Sequence, residues 1–190
     1  MANNQTAYGL RLVGHVSGGH PQTLDLRIPS AYNTSIFCGD PVKPDAGGSG
    51  YIVPASAGDA ILGIFVGCEY INKADGNYNF KSYFPANTTT QGSVDVRALV
   101  IVDPDALFKI KSPTARTQAD MFATCNFNAG GGGSTTTGLS SVYLDSTQST
   151  NLGFVMLNLS PEQDNSFGTY QDILVIPSLH LLRGQSGWVA

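Results

Sequence analysis

Charge is scarce in this sequence. Only 13 % of its 190 residues are Asp, Glu, Lys or Arg, about half the usual share. The ten basic residues are scattered, with no Lys/Arg cluster and no basic helix face, and the formal net charge is −4. That argues against nucleic acid as a partner, because phosphate neutralisation needs a concentrated positive surface. A weakly charged surface suits a protein that sits against another protein. Cysteine is also scarce: Cys38, Cys68 and Cys125 are odd in number, far apart and without a CxxC spacing. A disulfide framework and a Cys-based metal site are both disfavoured. No run approaches the roughly 20 apolar residues of a membrane span. The start, MANNQTAYGLRLVG, lacks the basic-then-apolar pattern of a signal peptide. The expectation is a chain made in a reducing cytoplasm, with no membrane partner. An amphipathic helical stripe is missing as well, so little helix is expected.

What the chain does have is Gly (22), Pro (10) and many Ser, Thr and Asn between short aliphatic runs. Disorder needs low hydrophobicity and high charge, and this chain has neither. The pattern suits many short strands joined by turns. Leu24, Leu26 and Ile28 alternate with Asp25 and Arg27 before Pro29. Ser35 to Cys38 reads as a short apolar strand. Ile61 to Tyr70 reads as a longer buried one, in which Gly63 and Gly67 mark bulges or close backbone contacts. "NKADGN", residues 72–77, carries the Asp-Gly turn signal, and Tyr78 and Phe80 alternate after it, so a hairpin is expected. Val94 to Val102 is the clearest strand, and Leu107 to Ile110 a short partner. Thr114 to Met121 reads as helix or strand without a decision between them. Residues 128–138 ("NAGGGGSTTTG") form a loop. Phe154 to Leu159, Ile173 to Ile176 and Leu179 to Leu182 are the last expected strands. The fold class is all-β, a barrel or sandwich with long loops. Two lobes are expected: residues 1–111, and residues 112–190 with the Gly/Thr-rich loop.

Each chemical motif has a plain structural reading. Gly133 to Gly138 has the Gly-x4-Gly spacing of a phosphate loop, but Leu139 stands where the phosphate-reaching Lys belongs. Cys38-Gly39-Asp40 is either a nucleophile beside a carboxylate or a bend at a strand end. Without a nearby base in sequence to form a thiolate, the bend and an inert thiol are the simpler account. Cys68, within an apolar strand, reads the same way. Asp103-Pro104-Asp105 reads as a turn, and Asp59 and Glu69 stand alone. "NKADGN" lacks the spacing of a calcium loop. His15 and His20 sit in a Gly-rich turn without a third ligand at metal spacing, and His180 is remote from both. No catalytic, cofactor or metal residue is assigned, and the chain is not read as an enzyme. Tyr8, in a polar N-terminal arm, and Trp188, the sole tryptophan, are the two residues assigned to a protein interface, because Trp is favoured in interface hot spots.

Seven segments in order carry a resemblance. They are "YGLRLVGHVSGG" from Tyr8, "IPSAYNTSIFCGDPV" from Ile28, "LGIFVGCEY" from Leu62, "SYFPANT" from Ser82 and "VDPDALFKI" from Val102. "GSTTTGLSSVYLD" from Gly133 and "LNLSPEQDNSFGTYQDILVIPSLHLLRG" from Leu157 complete the set. Together they span almost the whole chain and resemble the capsid decoration, or cement, proteins of tailed bacteriophages. Leu12 departs from that pattern, which has Pro there. The resemblance implies a virion protein on the capsid exterior. Its partners would be the major capsid protein and further copies of itself, often as trimers, and it would stiffen the shell against DNA pressure. Alternatives are a virion-surface module for host glycans, for which Tyr78, Tyr83 and Phe84 form the local aromatic cluster, or another minor head protein.

Overall fold

A computed structural model describes residues 5–148 and 153–183. The chain is all-β, with two open six-stranded antiparallel sheets, and neither sheet closes into a barrel. Among the described residues the only helical pieces are three short 3-10 turns.

The strands run β1 (Arg11–His15), β2 (Thr23–Ile28), β3 (Pro41–Pro44), β4 (Ile52–Pro54), β5 (Gly63–Ile71) and β6 (Tyr78–Lys81). They continue with β7 (Val96–Ile101), β8 (Ala106–Ser112), β9 (Thr124–Phe127), β10 (Leu144–Gln148), β11 (Phe154–Leu159) and β12 (Gln171–Pro177). One sheet, here sheet A, has the order β1-β8-β12-β11-β9-β10. The other, sheet B, has the order β2-β7-β5-β3-β4, with β6 added against β5. The chain therefore starts in sheet A, builds all of sheet B, and returns to sheet A. The division expected after Lys111 falls inside β8, where Lys111 pairs with Asp172 of β12.

Alternation explains the core. In β8, Ala106, Phe108 and Ile110 point inward, and in β12 Ile173 and Val175 meet them. Phe127, Phe154 and Met156 join from β9 and β11, and Ile64 and Ile101 reach the same cluster from sheet B, so this core packs the two sheets together. A second core lies within the β2–β7 half. It gathers Ile28, Phe65, Val96, Ala98 and Val100 beneath the crossing residues Ile36 and Phe84. Gly63 permits this packing, since a Cβ there would lie 2.2 Å from the Ile101 carbonyl oxygen of β7. The β5–β7 register shifts between Phe65 and Gly67, the bulge expected of that glycine. The expected hairpin forms: Gly76 takes φ +68° and Asn72 N–H donates to the Asn77 carbonyl at 3.0 Å.

Two expectations need correction, and one open reading is resolved. Ser35 to Cys38 makes single bridges, Ile36 to Phe84 and Cys38 to Leu139, rather than a ladder. Leu179 to Leu182 makes one bridge at His180 and then a 3-10 turn, because the carbonyl and N–H groups of Ile61 hold that segment at its side. Thr114 to Met121 is an irregular connection holding the 3-10 turn Gln118–Asp120, with Thr117 and Asp120 as its capping box. The strands β4 and β9, three and four residues long, are too short for sequence periodicity to mark.

Candidate functional site

The Cys38-Gly39-Asp40 bend is a crossing point of the chain. Gly39 takes φ +93°, and a Cβ there would lie 2.8 Å from the backbone nitrogen of Leu10. Glycine is required at this position, and the gap admits the N-terminal arm, whose Leu10 N–H donates to the Gly39 carbonyl at 3.0 Å. On the other side, Cys38 N–H donates to the Gly138 carbonyl and Ser140 N–H donates to the Cys38 carbonyl, both at 2.9 Å. Asp40 is fully buried. Its carboxylate accepts from Phe37 N–H (2.8 Å), Gly131 N–H (3.1 Å) and the Ser140 hydroxyl (2.5 Å). Burial pushes its pKa up to about 6, and those three hydrogen bonds oppose the rise. The Gly-rich loop is thus tied to Asp40, and Leu139 bridges to Cys38 with no helix after it.

Cys38 is not poised as a nucleophile. Burial raises its pKa, with Arg11 opposing and Asp40 adding to the rise. None of its described contacts is with a histidine. Burial likewise lifts Cys68 to about 12 and Cys125 to about 11. A thiol held above its ordinary range stays protonated at neutral pH and is a poor nucleophile.

The structure unites residues that sequence spacing kept apart. The end of β1 pairs with the start of β8 through His15 and Ala106. His15 Nε2 therefore lies 3.1 Å from Asp103 Oδ2. One ligand atom each from His15, Asp103 and Asp105 lie within 4.8 Å of one another, so among the described residues these three could hold a cation. Each is already engaged. The Ser17 N–H donates to His15 Nδ1 (3.1 Å), which leaves Nε2 as the donor to Asp103. Asp103 also accepts from Gln22 N–H and Asp105 N–H, and Asp105 pairs with Arg183. The Asp-Pro-Asp turn is closed by Ala106 N–H donating to the Asp103 carbonyl. His180 is buried, and its pKa is lowered by desolvation. Leu182 N–H donates to its Nδ1, and its Nε2 lacks a hydrogen-bond partner among the described residues. His20 is exposed.

Tyr8 lies against its own chain. Its hydroxyl donates to Asp172 Oδ1 at 2.6 Å, and the same oxygen takes the buried Lys111 ammonium at 2.7 Å. Arg11, Lys111 and Lys109 lie 4.8, 5.5 and 5.7 Å from its ring centroid. Burial and the Asp172 contact raise the phenol pKa well above its ordinary value. This group forms one wall of a cleft of about 750 Å³, whose other wall is the Gly/Thr-rich loop from Gly133 to Ser141. Trp188 lies outside the described residues.

The outer face of sheet B carries a different surface. Tyr78 and Phe80 on β6 are 63 % and 64 % exposed, and Ile71 and Val94 beside them are 43 % and 64 % exposed. Pairing puts Ile71 opposite Tyr78 and Glu69 opposite Phe80. Ile71, Tyr78 and Val94 line a shallow hollow of about 200 Å³. Arg97 anchors its floor through ion pairs with Asp25 and Glu69, and the Tyr78 hydroxyl donates to Glu69. Among the described residues β6 pairs only with β5, so its other edge has no ladder there. Of the aromatic cluster noted in the sequence, Phe84 is core and lies 6.4 Å from Tyr32, and Tyr83 stacks on Phe37 at 5.3 Å. Tyr78 alone of the three faces outward. Sequence alternation pointed to Tyr78 and Phe80, but nothing in it marked the neighbouring Val94. Comparison with known proteins found no matching family model, no matching curated protein and no matching solved structure.

Proposed function

We propose that this chain is a structural virion protein that binds the outside of a tailed-phage capsid shell and stabilises contacts between capsomers. The ordered resemblance along the sequence motivates the reading. The observation that carries it is the exposed Ile71, Tyr78, Phe80 and Val94 surface beside the open edge of β6. Two aromatic and two aliphatic side chains at such exposure supply the apolar contact that interfaces concentrate near their centre. An unladdered edge supplies backbone donors and acceptors for strand addition. The reading is non-enzymatic: His15, Asp103, Asp105, Asp40 and Asp172 are engaged with their own chain, and the thiols stay protonated. Many copies on one shell would multiply weak individual contacts into high avidity.

The test adds purified protein to mature shells that lack it and measures co-sedimentation. Saturable binding to assembled shells, and not to free capsid subunits, is expected. Failure to bind any shell of the phage that encodes the chain would contradict the proposal.

A further inference from the structure

The cleft beside Tyr8 has an unbalanced charge. Arg11, Lys109 and Lys111 line it together with only two carboxylates, Glu162 and Asp172. Lys109 pairs with Glu162, and Lys111 pairs with Asp172. Arg11 is left with no carboxylate or hydrogen-bond partner among the described residues. It rests on the face of the Tyr8 ring and is exposed. Its position is fixed by β1, where Arg11 pairs with Lys109 of β8. Lys111 is 3 % exposed and has one acceptor, Asp172, among the described residues, so further ammonium donors remain for whatever fills the cleft that it lines. Opposite stand Ser134, Thr137 and Ser141, hydroxyl side chains of the Gly/Thr-rich loop, which Asp40 holds in place through Gly131 and Ser140.

The geometry points to an oxyanion-binding cleft for an acidic sugar. A carboxylate or phosphate would meet the guanidinium fork of Arg11 and the free donors of Lys111. The hydroxyls of the same ligand would meet Ser134, Thr137 and Ser141. A neutral sugar stacked on Tyr8 fits poorly, because the three cations already occupy the surroundings of that ring. The cleft shares no lining residue with the Ile71–Tyr78–Val94 hollow. This inference therefore stands apart from the shell-binding proposal.

Calorimetric titration of the full chain with glucuronate, glucose 6-phosphate, glucose and inorganic phosphate tests it. Both acidic sugars bind and glucose does not. Inorganic phosphate binds more weakly than glucose 6-phosphate, and added salt weakens every interaction that remains. Arg11→Gln keeps the melting temperature and lowers acidic-sugar affinity about tenfold, the loss of one charge-assisted contact. Ser141→Ala, on the exposed wall, lowers the affinity for the acidic sugars but not for inorganic phosphate. No binding by either acidic sugar, equal binding of glucose, equal binding of inorganic phosphate and glucose 6-phosphate, or unchanged affinity in Arg11→Gln would each overturn the assignment.

Discussion

Asp40 is a fully buried carboxylate whose three hydrogen bonds do not offset the cost of its desolvation, so its pKa stands near 6 rather than at its usual value. The sign of the linkage follows. A group with a raised native pKa stabilises the fold fully at a pH below its unfolded value, and that contribution is lost as pH rises through about 6. Asp40→Asn removes this dependence while keeping an acceptor for Phe37 N–H and Gly131 N–H. Urea unfolding from pH 4 to pH 7 should show the variant gaining stability relative to the parent, by on the order of 2 kcal/mol across the range. A difference that is flat with pH would show that Asp40 is ordinarily ionised in the fold. Two residues earlier, Cys38→Ser should leave shell binding unchanged and cost at most about 1 kcal/mol. Gly39→Ala should cost about 2 kcal/mol or more, because it combines a positive φ with a contact on Leu10. Equilibrium denaturation of the pair separates the two roles: a cheap Gly39→Ala and a costly Cys38→Ser would reverse this account. The bend, the glycine requirement and an inert thiol were legible in the local sequence. The burial of Asp40 was not, since its partners Gly131 and Ser140 lie far along the chain and only the tertiary fold brings them close.

Strand elements were legible where one face alternates, as in β2 and β7, or where an apolar run is near-continuous, as in β5 and β12. β2, β5, β7 and β12 fall close to their expected positions, and the Asp-Gly turn set the β5–β6 register. β4 was missed because it is short and ends in proline, which reads as a turn signal. Ser35 to Cys38 was read as a strand because it is apolar. Ile36 is buried in the second core and Phe37 is buried beside it, with single bridges at Ile36 and Cys38 in place of a ladder. The β6 element carries the functional claim. Tyr78 and Phe80 project from it into solvent, so Tyr78→Ser with Phe80→Ser removes exposed apolar area and no core contact. The double variant should unfold within about 1 kcal/mol of the parent and bind shells at least about tenfold more weakly, the effect of losing two aromatic anchors. Unchanged co-sedimentation of a folded double variant would remove β6 from the interface.

For the whole molecule, composition was enough for the all-β class, while the sheet assignment was not legible. β1 leaves the N-terminal part of the chain to pair with β8, a contact that no local pattern encodes. The same pairing sets His15 on Asp103 and Arg11 beside Lys109 and Lys111, so both polar clusters are products of topology rather than of motif. With two core clusters, two open sheets and several free edges, the molecule presents an apolar aromatic surface on sheet B and a separate polar cleft on sheet A. The direct measurement is a reconstruction of the intact virion that encodes this chain. Density for the two-sheet fold outside the shell, across capsomer boundaries and with Tyr78 and Phe80 against the major capsid protein, is the expected result. A virion without this chain, or one holding it inside the shell, would contradict the account.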